Sequence, residues 1–266
     1  LQGNEPAPAS DLAQQIAAIA ADAGRLAMDR WKTDFARWEK SPGNPVCAID
    51  LEVDAMLRVR LNDLLPDAGW LSEETIDNAA RLKADRIWVV DPIDGTRDYL
   101  RGRPGWAVSI ALVEHGQPVI GVLDAPARGE VWTAEAGKGA WRNGRRLHTA
   151  ERSELAGARV PADQLPKVDQ DLAMVAKPNS IALRIAMVAA GEADLVATLR
   201  WGHEWDIAAA VLLAREAGTA VTDALGGALH FNTPAGEAFG VLATAPGIHA
   251  AAVDRLAERA AASIKR

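Results

Sequence analysis

The chain has 266 residues, 49% of them apolar, and carries 29 basic and 36 acidic residues for a net charge of -7. That length and apolar content allow a large core, as one domain or as two lobes around a cleft, and exclude a disordered chain. The acidic balance, without a Lys/Arg run long enough to form a basic arm, argues against binding a nucleic-acid polymer.

The opening LQGNEPAPAS has neither the basic start nor the apolar stretch of a signal peptide, and no run reaches the roughly 18 apolar residues of a membrane helix. The single cysteine, Cys47, cannot form an internal disulfide. The expectation is therefore a cytoplasmic protein that does not engage a membrane. Ser10 and Asp11 can cap a first helix, whose apolar residues Leu12, Ile16, Ile19, Ala20, Ala23 and Leu26 recur at helical steps. Lys40 to Pro45 reads as a turn. Asp50 opens a second helical pattern, with Val53, Leu57, Leu61, Leu64 and Leu65 facing inward and Pro66 ending it.

From Arg86 to Ala134 the pattern becomes short β-rich runs, with His115-Gly116-Gln117-Pro118 as a hairpin loop, so this sheet is at least partly antiparallel. Beyond about Glu151 the order is helix, strand, helix, strand, helix, with Gly218 capping the second of these helices. The expected architecture is layered α/β: an N-terminal lobe over 10–150 and a smaller α/β lobe over 151–266. Trp106, Trp132 and Trp141 fall in strand-like runs and are expected in the core. Trp31, Trp38 and Trp70 are candidates for a subunit contact.

The run Trp88-Val89-Val90 ends in Asp91-Pro92-Ile93-Asp94-Gly95-Thr96, which delivers two carboxylates to the mouth of a buried strand. Asp-Pro and Asp-Gly also make ordinary turns. Two unit charges about 4 Å apart at an effective dielectric near 20 repel by roughly 4 kcal/mol, so such a pair shares a proton or holds a cation. An all-oxygen donor set favours Mg²⁺ or Mn²⁺ over zinc. Glu73-Glu74 precede the strand and read either as further ligands or as a solvated loop. Asp206, in Glu204-Trp205-Asp206, and Asp50 each head an apolar helix and could be caps.

Taken together, Glu73-Glu74, Asp91 to Thr96 and Trp205-Asp206, with Pro45-Val46 and Asp50 ahead of the second helix, resemble the inositol monophosphatase superfamily of Mg²⁺-dependent, Li⁺-sensitive phosphatases. The resemblance implies an α-β-α-β-α sandwich with a mainly antiparallel N-terminal sheet, and hydrolysis of a phosphate monoester by metal-activated water. It implies one Mg²⁺ on Glu73, Asp91 and the Ile93 carbonyl, a second on Asp91, Asp94 and Asp206, and a weaker third near Glu73. Thr96, polarised by Asp50, would orient the water with Glu73, and the amides of Gly95 and Thr96 would receive the phosphate. Asp94, Gly95, Thr96, Ser180, Arg184 and Asp206 would meet the substrate, a small phosphate ester, and a homodimer is the expected assembly.

Arg97-Asp98-Tyr99, Glu204 and Leu229 to Pro234 resemble the CysQ-type 3'(2'),5'-bisphosphate nucleotidases, which makes adenosine 3',5'-bisphosphate the favoured substrate. An inositol-1-phosphate or broad sugar-phosphate phosphatase is the alternative, and a regulatory protein-binding member of the superfamily a third reading. Cys47 and Ile49 depart from the Thr and Ala usual in the family, and Ser180 to Arg184 only approximates its substrate stretch.

Overall fold

The computed structural model describes residues 9–41 and 44–264, with side chains outside 39–46. Ser10 caps α1 (Asp11–Arg30) by accepting from the Ala13 amide at 3.2 Å. The helix buries Ile16, Ile19, Ala20 and Ala23 as its periodicity requires. A hairpin of β1 (Arg37–Ser41) and β2 (Asn44–Cys47) leads to α2 (Ala48–Leu64), which begins two residues before Asp50. The turn expected over Lys40 to Pro45 includes residues outside the described set.

The chain then builds one sheet from β3 (Gly69–Ser72) and β4 (Arg86–Asp94), and, after the short α3 (Thr96–Leu100), from β5 (Ala107–Glu114), β6 (Gln117–Ala125), β7 (Glu130–Glu135), β8 (Gly139–Arg142) and β9 (Arg145–Arg146). These seven strands lie in chain order; β3 runs parallel to β4 and every later pair is antiparallel. His115 and Gly116 take positive φ in the β5–β6 turn, the geometry of a two-residue hairpin loop.

After β10 (Arg159–Pro161) and β11 (Ala173–Val175) come α4 (Ile181–Ala189), β12 (Leu195–His203), α5 (Ala208–Glu216), β13 (Ala220–Thr222), β14 (Glu237–Thr244) and α6 (His249–Ser263). Strands β12, β14 and β13 form a second, antiparallel sheet.

Period-two alternation explains the stacking. In β4, Trp88 and Val90 join a core with α1 and α2, whereas Ile87 and Val89 join a core with α4 and α5. In the small sheet, Val196, Val241 and Ala243 face α4 and α5, and Leu195 and Leu242 face α6. Helices, sheet, helices, sheet and helix thus stack in the expected α-β-α-β-α order. The expected lobe boundary near residue 150 falls between β9 and β10, beneath a core to which residues from both sides contribute.

Trp106 and Trp132 are fully buried, but Trp141 lies on the outer β8 and is only half-buried. Trp31 packs edge-on against Trp106 at 6.1 Å and donates to the Tyr99 carbonyl at 3.2 Å.

Candidate active site

Residues three apart in a regular strand point to opposite faces, so Asp91 and Asp94 need an irregularity to converge. The structure supplies one: Asp91 pairs with Ser109 and Asp94 with Ala107, so β4 advances three residues while β5 advances two. This bulge returns both carboxylates to the face covered by α4 and α5. Asp91 Oδ1 accepts from the Ile93 amide at 3.0 Å across the bulge. Because β3 runs parallel to β4, with Ser72 opposite Val90, Glu73 emerges at the same end as Asp91.

Asp94 is 6% exposed and is held by the start of α4. The Ser180 hydroxyl and the Ala182 amide donate to Oδ2, the latter at 2.8 Å, and the Ile181 amide approaches Oδ1 at 3.3 Å. Arg184, one turn later, donates to the carbonyls of Asn179 and Ser180 at 2.7 and 3.2 Å and lends positive charge to Asp94. Asp206 precedes α5, whose cap position is Ile207, so Asp206 does not cap the helix.

Asp50 faces the same end of β4 from α2 and is 1% exposed. Its Oδ2 accepts from the Cys47 amide at 2.8 Å and thiol at 2.9 Å, closing a capping box, and its Oδ1 lies 3.3 Å from the Thr96 hydroxyl. Cap and site residue are therefore one. The Thr96 hydroxyl also lies 3.0 Å from the Ile93 carbonyl. With one proton, it can serve one acceptor at a time. Gly95 enters α3 at φ +94°, and the amides of Gly95 and Thr96 head that helix, which makes no internal use of them.

Electrostatics separate this cluster from a set of solvated acids. Asp91 is held well above the usual carboxylate range by burial and by the charges of Glu73, Asp94, Asp206 and Asp50. Asp206 is raised by burial and by Asp94 and Glu73. Asp94 is raised by burial, against which the hydrogen bonds from Ser180 and the α4 amides act. Among the described residues no three acidic, histidine or cysteine side chains already stand as a closed metal-holding group. The carboxylates oppose one another across the mouth of β4, and the donor set, all hard oxygen and mutually repelling, fits a small divalent cation.

The residues behind the nucleotidase expectation have structural partners. Asp98 is buried and accepts from the Asn179 amide at 3.0 Å. Tyr99 is buried, donates to the Ala27 carbonyl at 2.8 Å and packs edge-on against Trp106. Glu204, fully buried, accepts from the amides of Asn232 and Thr233 at 2.6 and 2.9 Å. Arg97 is exposed, as are His230 and Pro234 in the Leu229 to Pro234 stretch.

Sequence reading missed two supports. Asp54 accepts from the hydroxyls of Ser72 and, at 2.8 Å, Thr75, and so fixes the acidic loop of Glu73. Arg81, 3% exposed, joins Asp77 at 2.6 Å to Asn232 at 2.6 Å. Helical spacing put Asp54 beside Asp50 and was the one local signal for it.

A folded acidic mouth of this kind on an α-β-α-β-α frame defines a class, and comparison with known proteins specifies it. The chain matches the inositol monophosphatase family over residues 9–266. It is 34% identical to a fructose-1,6-bisphosphatase/inositol-1-monophosphatase of Thermotoga maritima, over 75% of this chain and 80% of that protein. It is 38% identical to an inositol-1-monophosphatase of Mesorhizobium japonicum, over 71% of this chain and 75% of that one. It is also 38% identical to a Nus factor SuhB of Xylella fastidiosa, over 70% and 71%.

Among solved structures, the Thermotoga maritima IMPase superposes with a TM-score of 0.82 at 30% identity, covering 94% of this chain and 98% of that one. The suhB protein of Bartonella henselae gives 0.80 at 29% identity, covering 93% and 98%. The chain belongs to the inositol monophosphatase family. It is an enzyme of the metal-dependent phosphoric monoester hydrolase class. Among the described residues no helix is long and apolar enough to cross a membrane.

Proposed function

We propose that the mouth of β4 binds Mg²⁺, with Mn²⁺ as a substitute and Li⁺ as an inhibitor, and that the enzyme cleaves the phosphate monoester of an inositol or sugar phosphate with water as nucleophile. The observation that carries this reading is the convergence of Glu73, Asp94 and Asp206 on buried Asp91, at the end of β4 where the bulge turns Asp91 and Asp94 to one face. Glu73, Asp91 and the Ile93 carbonyl would hold one ion, and Asp91, Asp94 and Asp206 a second. Bound there, the ions supply charge neutralisation of the phosphate and a lowered pKa for the attacking water.

The chain's own groups complete the reaction. With its proton directed to Asp50, the Thr96 hydroxyl would offer a lone pair to the water. Glu73 shares in orienting that water. The amides of Gly95 and Thr96 donate to the phosphate, and Ser180 keeps Asp94 in place.

The named activities of the relatives favour inositol or sugar phosphates. The nucleotidase reading loses its support from Asp98, Tyr99 and Glu204, which serve the fold. A relative named Nus factor SuhB keeps a protein-binding role in view; the Thr96–Asp50 contact beside the acidic cluster favours catalysis. The resemblance also supports a homodimer, which light scattering would test.

The test is phosphate release from inositol 1-phosphate, fructose 1,6-bisphosphate and adenosine 3',5'-bisphosphate, with Mg²⁺ and with or without Li⁺. Removing one metal-facing carboxylate forfeits several kcal/mol of transition-state stabilisation, so Asp94→Asn should lower kcat/KM by roughly a thousandfold. Release that ignores Mg²⁺, or survives Asp94→Asn, overturns the reading.

A further inference from the structure

Two buried hydroxyls have no partner among the described residues, those of Ser109 and Thr219. Folded interiors rarely leave a buried hydroxyl unpaired, so each needs an account. Thr219 follows α5, at the other end of that helix from Asp206. Ser109 stands on β5 directly opposite Asp91.

The strand pairing leaves Ser109 little choice of partner. Paired residues share one face of a sheet, so Ser109 and Asp91 both point toward α4 and α5. Residues so paired have Cβ atoms about 4.5–5.5 Å apart. Along β5 the same face carries Ala107 and Ala111, and across on β6 stands Leu123. None of these side chains can accept a proton. The helix layer closes over them: a Cβ at Gly121, which pairs with Ala111, would lie 2.7 Å from the Ala209 carbonyl oxygen of α5. Ser109 is accordingly 1% exposed, and Asp91 is the one polar side chain beside it on the sheet.

Asp91 in turn is short of donors. Its Oδ1 accepts from the Ile93 amide, and no described side chain donates to either of its oxygens. Toward β3 its neighbour is Glu73, another acid, so the hydroxyl on the β5 side is the donor available to it. Asp94 already has such a support in Ser180. A carboxylate that holds a metal is ordinarily hydrogen-bonded itself, and loss of that support weakens metal binding roughly 10–100-fold.

We infer that Ser109 is a positioning residue: its hydroxyl donates to Asp91 when that carboxylate holds a divalent cation, as Ser180 does for Asp94. The inference rests on the cation reading of the mouth of β4. The hydroxyl is then unsatisfied in the ion-free protein and satisfied in the loaded one, which separates this role from an ordinary structural one.

Mn²⁺ binding is measured by electron paramagnetic resonance, and melting of the metal-free protein by calorimetry, for wild type, Ser109→Ala, Ser109→Cys and Thr219→Val. Mn²⁺ should bind Ser109→Ala about tenfold more weakly than wild type, with Ser109→Cys, a weaker donor, in between. Deleting a buried hydroxyl that lacks a partner removes a desolvation penalty, so the metal-free Tm of Ser109→Ala should stay level or rise. Thr219→Val, which removes the other unpaired hydroxyl, should leave Mn²⁺ affinity unchanged. Unaltered affinity in Ser109→Ala overturns the inference, and so does equal weakening in Thr219→Val, which would mark a general response to repacking. A lower metal-free Tm in Ser109→Ala also overturns it, because the hydroxyl would then already serve the fold. Wild type that binds no Mn²⁺ overturns the cation reading and this inference with it, whereas the other outcomes leave that reading standing.

Discussion

Ser180 joins two parts of the chain 86 residues apart: its hydroxyl donates to Asp94 Oδ2 while its oxygen accepts the Leu183 amide at 2.9 Å. One side chain caps α4 and secures a buried carboxylate at the site. Ser180→Ala loses a cap and leaves Asp94 short of a donor, at a combined cost of about 2–4 kcal/mol. Thermal melting should show Tm lower by roughly 4–12 °C, together with reduced kcat/KM. Ser180→Thr, which keeps the hydroxyl, should recover most of both.

Gly95 stands at φ +94°, and a Cβ there would meet the Gly105 carbonyl oxygen at 2.7 Å and the Ser180 amide nitrogen at 2.8 Å. Both neighbours are backbone and cannot swing aside. The left-handed conformation alone costs a non-glycine residue about 1–3 kcal/mol. Gly95→Ala should therefore lower stability by at least that amount in urea unfolding and abolish turnover, because relief of the clash separates α3 from α4. A variant with wild-type activity would contradict this.

Asp124, 4% exposed on β6, stands against α1 where Gly24 leaves room for its carboxylate. Burial raises its pKa to about 6, with Arg25 opposing the shift. The folded state then binds the proton more tightly than the unfolded chain, so stability is highest below the ordinary carboxylate pKa. It falls as pH rises from about 4 through about 6. The interval corresponds to about 3 kcal/mol. Asp124→Asn should be more stable than wild type at pH 8 by an amount of that order, and the difference should vanish near pH 4 in parallel denaturant titrations.

Cys47 donates its thiol to Asp50 at 2.9 Å, and burial first, then the Asp50 charge, push that thiol up to about 12. It stays protonated at any working pH and unreactive toward alkylating agents. Native protein should resist iodoacetamide at pH 8 until unfolded, as mass spectrometry would show. Cys47→Ala removes one donor from Asp50, leaving the Cys47 amide and Thr96. Its kcat should fall several-fold, with recovery in Cys47→Thr.

Helices α1, α2, α4 and α5 were legible because their apolar residues recur at helical steps. The β5–β6 hairpin was legible because Gly116 allows the turn that joins two apolar runs. Asp91, Asp94 and Thr96 were legible because a strand end, a proline and a glycine are local features. The fold contacts of Asp98, Tyr99 and Glu204 were not legible: their partners, Asn179, Ala27 and Asn232, are distant in the chain, and nothing local marks a polar group as already satisfied.

By itself, then, the sequence determined the layered order of elements, the family and the acidic motif, since each depends on periodicity or on residues within a few positions. Tertiary structure alone decided that a bulge turns Asp91 and Asp94 to one face and that Ser180 anchors Asp94. Strand register and the packing of α4 against the sheet arise between segments far apart in the chain, where spacing along the sequence carries no information about direction.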